Sequence, residues 1–277
     1  MASPAANPLF KHFRQPTIYL KLPSQGRFWP NAAIEIPVTG ELPIYPMTVK
    51  DEISIKTPDA LMNGSGVVDV IQSCCPSIKN AWATPLIDLD AILIAIRSAS
   101  YGHIMDIDTT CPNCSAENSH SVDLRVLLDS IHAPDYNPVT IDNLVFQFKP
   151  QEFKNLNQAN QINFTQQKLI DTISRSDLDE DTKMAEFQRV FPTLTDLNIM
   201  TLVNSIESIT VDGQTVTNID HIKEFVTNCD RNLYSQIKEI INDLAATVKL
   251  RPLDVQCTEC STTYTTEINF DQASFFE

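Results

Sequence analysis

The chain has 277 residues, 43% of them apolar, which is enough to bury a substantial core and excludes a largely disordered polymer. A formal charge of −15 repels polyanions and argues against a general nucleic-acid or anionic-membrane binder. No apolar run approaches the roughly 20 residues needed to cross a bilayer, and Met1 to Pro8 lack the charged and apolar regions of a signal peptide. Synthesis in a reducing cytosol is expected, where seven cysteines point to metal ligation or free thiols rather than disulfides.

Residues 1–47 hold eight of the 17 prolines, a density that blocks long helices and favours an extended N-terminal arm. Within it Thr17–Leu22 and Ile34–Val38 read as short strands, Pro37 indicating an edge. Residues 1–50 carry Lys11, Arg14, Lys21, Arg27 and Lys50 against Glu35 and Glu41, a balance of +3, so the remaining 227 residues carry −18. A basic arm on an acidic body suggests electrostatic docking onto a partner or a neighbouring copy; an ordinary solvated segment is the rival reading.

Helical signals begin at Thr48-Val-Lys-Asp51, a capping-box-like start, and further short helices follow Pro58 and Gly66. Thr84-Pro85 supplies a cap and a first-turn proline for a helix through Leu86, Ile87, Leu89, Ile92, Leu93, Ile94 and Ile96, ending near Gly102. Being apolar on nearly every face, it should lie in the core. Residues 103–123 and 250–269 alternate as two β-hairpins. Between them come a short helix near 124–132, a strand at Asn143–Phe148 and a mainly helical stretch to 249, interrupted by a small hairpin at Asp212-Gly213. The last helix carries Leu233, Ile237, Ile240, Ile241, Leu244 and Val248 on one face.

Each long hairpin bends at a Cys-x-x-Cys pair, Cys111-Pro-Asn-Cys114 and Cys257-Thr-Glu-Cys260, with residues 115–256 between them. Two such knuckles supply four thiolates, the donor set of a closed tetrahedral zinc site with no place for a water, and so of a structural rather than catalytic metal. Two rivals stand beside this reading: a thioredoxin-like redox pair, disfavoured by the weak helix start after Cys114 and by the matched second pair, and unliganded thiols. His103 and His120 lie near the first knuckle, but four cysteines leave no vacancy for them. Cys74, Cys75 and Cys229 read as buried helix-end thiols without an activating base.

The acidic run Asp177–Asp181 reads as a solvated helix start, since a calcium loop needs regularly spaced oxygens around a central glycine. The six glycines build no phosphate-cradling loop, nucleophile elbow or dinucleotide fingerprint, and there is no His-Glu-x-x-His. A structural or assembly role is therefore the default, and the aromatic tail Phe270–Phe276 either covers the second hairpin or anchors in a partner.

Several segments together carry a family resemblance: Asn7-Pro-Leu-Phe, Phe13-Arg-Gln-Pro16, Leu22-Pro-Ser-Gln-Gly-Arg-Phe28, Pro46-Met-Thr-Val-Lys-Asp-Glu52, Thr57–Gly64, Asp88-Leu-Asp90, Ala95-Ile-Arg97 and the two knuckles. The chain resembles the baseplate hub subunit and hub-assembly proteins of T4-like contractile-tailed bacteriophages. The resemblance implies a non-enzymatic virion component or assembly factor, made in the host bacterial cytoplasm and working at the tail baseplate. Its implied partners are other hub and tail proteins and further copies of itself, with no nucleic acid, membrane or small-molecule substrate; a zinc-ribbon regulatory or nucleic-acid-binding protein is the alternative.

The expected fold is α+β, with an extended proline-rich arm over 1–47 and a helical core segment with the first half of a split zinc ribbon over 48–123. A mainly helical insertion over 124–249 and the second half of the ribbon over 250–277 complete it. Zn²⁺ is expected on Cys111, Cys114, Cys257 and Cys260, and residues 8–30 are expected to dock on another hub protein.

Overall fold

The computed structural model describes Leu9 and residues 12–57, 63–176, 179–248, 250 and 252–266. Across them the chain is α+β. Thr17–Leu22 yields strand β1 (Ile18–Leu20), antiparallel to β2 (Leu42–Ile44), with Ile18 opposite Ile44. Alternation turns Leu20, Leu42 and Ile44 into the core. The predicted strand at Ile34–Val38 does not form: only Ile34 pairs, in one bridge with Ile78. Pro37 has no N–H to offer a ladder, and its carbonyl instead accepts from the Gly40 amide to close a turn.

Helix α1 (Val49–Ile55) starts with a true capping box, in which the Thr48 hydroxyl accepts from the Asp51 amide and the Asp51 carboxylate accepts from the Thr48 amide. Helix α2 (Ser65–Cys74) follows Gly64, at φ +75°, where a Cβ would lie 2.6 Å from the Asn157 side-chain oxygen. Only glycine meets both conditions.

Helix α3 (Leu86–Tyr101) buries ten side chains, Asp88 and Arg97 among them, as its apolar character on nearly every face predicts. Its start differs from the expectation, because Pro85 occupies the cap position and the buried Thr84 hydroxyl finds no partner. The backbone there is stitched across instead: the Leu86 amide donates to the Gln151 carbonyl and the Phe153 amide to the Thr84 carbonyl.

Hairpin β3 (Ile104–Thr110) and β4 (Glu117–Asp123) leads into α4 (Leu124–Ser130), then β5 (Val139–Ile141) and β6 (Leu144–Phe148). A pair of long helices, α5 (Phe153–Arg175) and α6 (Glu180–Asn204), separates β6 from β7 (Ile206–Val211) and β8 (Gln214–Val216). These four strands form one antiparallel sheet in the order β5-β6-β7-β8. Asp212 and Gly213, both at positive φ, make the predicted tight turn. Helices α7 (Ile219–Asn228) and α8 (Arg231–Val248) follow, then hairpin β9 (Leu253–Gln256) and β10 (Thr263–Thr266).

Two cores result. The first gathers β1, β2 and α1 to α4, with Leu250 and Leu253 of the returning chain packed against it. The second lies between the four-stranded sheet and α6, α7 and α8, with Phe146, Phe148 and Ile237 fully buried. The predicted apolar face of α8 is confirmed for Leu233, Ile237, Ile240, Ile241 and Leu244. The acidic run does begin a helix, Asp179 accepting from the Thr182 amide to cap α6. The helix predicted after Pro58, Asp177, the Val248 side chain and the tail Phe270–Phe276 lie outside the described residues. No described helix is long and apolar enough to cross a membrane.

Residues 8–30, expected to dock on another hub protein, are also anchored to the chain's own body from residue 14 onward. Arg14 donates to the Pro46 and Ser73 carbonyls, at 2.7 and 2.8 Å, and pairs with Asp51 at 3.2 Å. Leu20, Leu22, Ser24 and Trp29 are buried. The Ser24 amide and hydroxyl and the Trp29 indole N–H all donate to the Asp88 carboxylate in the middle of the core. Arg14, Ser24 and Trp29 thus tie this segment into its own body, while Tyr19, Lys21 and Arg27 stay exposed.

Candidate metal centre

The two knuckles have the same local architecture. In the first, the Cys111 amide donates to the Ala116 carbonyl and the Ser115 amide to the Cys111 carbonyl; in the second, Cys257 donates to Thr262 and Ser261 to Cys257. The residue after each second cysteine, Ser115 or Ser261, takes a left-handed φ near +60°. This backbone turn aims both sulfurs of a knuckle to one side, and the knuckles face each other.

The four sulfurs all lie within 4.8 Å of one another, with Cys111 to Cys260 and Cys114 to Cys257 each at 3.6 Å. Four sulfurs about 2.3 Å from a zinc ion have tetrahedral edges of about 3.8 Å, so the spacing and the donor chemistry are compatible with a metal site. Cys111 and Cys257 are buried, and Cys114 is exposed.

The Cys257 and Cys260 sulfurs are supported from both hairpins. Asn113 and Asn118, both on the first hairpin, aim side-chain N–H groups at Cys260 and Cys257 at 3.6 Å. Hydrogen bonds with the Thr262 hydroxyl and amide, and with Asn113, pull the Cys260 thiol down to about 5. Backbone hydrogen bonds at Cys260 and Glu259, with Asn118, lower Cys257. At Cys114 the backbone bond at Ala116 works downward, but the crowding sulfurs of Cys260, Cys257 and Cys111 outweigh it and push the thiol up to about 12. Four neighbouring thiols resist ionising together, and a bound cation removes that resistance.

Sequence reasoning found the four cysteines and missed what holds them. Asn118 is buried, and its carboxamide oxygen accepts from the Thr258 amide and hydroxyl at 2.8 and 2.9 Å, clamping one hairpin to the other. The Tyr264 hydroxyl meets Thr109 at 2.6 Å and stands 3.5 Å from the His120 ring. Nothing in the local sequence distinguishes Asn118 from its polar neighbours in β4; its role comes only from the partner hairpin. His120 faces Tyr264 rather than the sulfurs, and His103 is exposed.

The other thiols sit where the sequence placed them, at helix ends. Burial pushes Cys74 up to about 12 and Cys75 to about 11, and also raises Cys229, so none is an activated nucleophile.

The described body is α+β with two cores, and its middle and far end meet in a four-cysteine cluster compatible with a metal site. The chain belongs to the T4 bacteriophage base plate protein family, whose model matches residues 16–277. Its role is that of a structural phage baseplate protein, and the family implies location in the virion tail and contact with other baseplate proteins. No curated protein and no solved structure matches the chain.

Proposed function

We propose that the chain is a non-enzymatic component or assembly factor of the baseplate hub of a contractile tail. Cys111, Cys114, Cys257 and Cys260 would hold a structural Zn²⁺ in a split ribbon. The observation that carries the metal reading is the convergence of four sulfurs from hairpins far apart in sequence, braced by Asn113 and Asn118. Bound there, zinc would supply cross-linking alone, since four thiolates complete its coordination.

Family membership supports the baseplate half, and the hub assignment follows the resemblance of the N-terminal segments. Contact surface is available on the long helical pair as well as at the exposed Tyr19, Lys21 and Arg27 of the N-terminal segment. Among described residues α5 buries only Phe153 and Ile173, while Phe164, Leu169, Met184 and Phe191 of the pair are exposed. Large exposed apolar side chains on helices suit protein partners. Protein mass spectrometry of purified particles tests the hub assignment. Stoichiometric presence supports a hub component, presence only in assembly intermediates supports an assembly factor, and absence from both refutes the reading. Elemental analysis should give one zinc per chain.

A further inference from the structure

The two cores meet across a cavity of about 290 Å³. Leu86 and Leu89 of α3, Phe148 at the end of β6, and Ile241 and Leu244 of α8 make its walls apolar. Asp90 lines the same space.

Two residues earlier in the helix, Asp88 receives three hydrogen bonds; Asp90 receives none and enters no ion pair among the described residues. Burial alone lifts its carboxyl to about 6. The other polar lining groups do not answer it. The Gln151 side chain donates to the Thr201 carbonyl and the Ser205 hydroxyl, and the Ser205 hydroxyl donates to the Thr201 carbonyl. The Tyr136 hydroxyl, kept neutral by burial that pushes it up to about 12, makes no hydrogen bond to Asp90. Lys149 lines the cavity without coming within ion-pair distance of Asp90.

An ionised carboxylate in an apolar recess is costly until a cation joins it. An anionic occupant would meet that carboxylate, and a neutral apolar one would leave it unpaired. The volume lies at the small end of the roughly 300–1,000 Å³ typical of ligand pockets, the scale of one long side chain. Lysine and arginine combine an aliphatic stem with a charged head. We propose that this cavity receives a lysine or arginine side chain from a neighbouring protein of the assembly, its stem against Leu86, Leu89, Ile241 and Leu244 and its charge on Asp90. The inference rests on the protein-contact role proposed above and supplies the anchor chemistry for one such contact.

The chemistry is tested on the full chain at neutral pH by titrating n-pentylammonium, 1-pentanol and pentanoate, following the methyl NMR signals of Leu86, Leu89, Ile241 and Leu244. The ammonium should bind at least about tenfold more tightly than the alcohol, and pentanoate should not bind detectably. Asp90→Asn should remove that advantage while 1-pentanol affinity, reporting an intact cavity, stays unchanged. Equal or tighter binding of the alcohol or the acid by the natural chain overturns the assignment, and leaves baseplate membership standing because particle composition tests that separately. Carbodiimide labelling of Asp90 distinguishes a protein neighbour from a free amine: strong protection in the assembled complex relative to the isolated chain supports the proposal, and equal labelling refutes it.

Discussion

In the first core, carboxylates are buried together with the apolar side chains: Asp88 under Ser24 and Trp29, and Asp51 beneath Thr48 and Arg14. In the second, between sheet and helices, the buried set is apolar apart from Ser205, and no charged side chain is among its buried residues. The difference follows from the building material. In 17–47 the apolar alternation runs for only a few residues at a time, too short to fix the segment alone, so specific polar bonds to α1, α2 and α3, those of Arg14 included, add to it. Regular strands and helices with period-2 and period-3.6 patterns fix their own register. The cysteine ribbon extends the first case. Its strands β3 and β10 contain no buried residue, and in β4 only Asn118 and Val122 are buried, so the proposed metal ligation would take the place of a core.

The largest expected effect is on that ribbon. Replacing Cys111 and Cys114 together by Ser should abolish bound zinc and lower unfolding free energy by more than about 4 kcal/mol. Hydrogen exchange should rise over 104–123 and 253–266 well before it rises in the sheet β5–β8. Unchanged metal content and melting temperature would sink the structural-zinc reading.

Next comes the apolar core. Phe146 is fully buried and stacks on Phe148 with ring centroids 5.8 Å apart, so Phe146→Ala should cost about 4 kcal/mol in chemical denaturation. Asp88→Ala should cost somewhat less, about 3 kcal/mol, through the stranded donors of Ser24 and Trp29 rather than through lost volume. The two mechanisms separate experimentally. In a Trp82→Phe background, Asp88→Ala should shift the Trp29 emission to the red, and Phe146→Ala should leave it in place. The reverse pattern would show that the cores are not held in the two ways argued here.

This contrast also explains what could be read before the fold was known. Helix α3, helix α8 and the turn at Asp212-Gly213 were legible because their signals are local: an apolar run, a 3.6-residue stripe, two residues suited to positive φ. The four cysteines were legible because ligand spacing is local too. The joining of β6 to β7 across the long helical pair was not, since such pairing depends on tertiary contact. The misplaced strand at 34–38 has the same cause: its alternation was real, but β1 had already paired with Leu42–Ile44. Asn118 and Asp88 were invisible as supports because a buried polar residue looks, in sequence, like any other polar residue until its donors arrive from elsewhere.

The smallest effect tests the junction between the cores. Asp90 has its folded pKa raised to about 6 by burial, above the ordinary 3.8, so the folded state holds the proton more tightly than the unfolded chain. The stability this group contributes is therefore full below about 3.8 and is lost as pH rises through about 6. Lowering the pH from 7 to 5 should raise the stability of the natural chain by about 1 kcal/mol relative to Asp90→Asn, a difference that cancels the titration of every group the two share. A cation seated on Asp90 would reverse the sign, because the pair holds the carboxylate ionised. The same comparison repeated with saturating n-pentylammonium should therefore lose its acid-side gain; persistence of that gain would mean that the cavity and the carboxylate are not acting together.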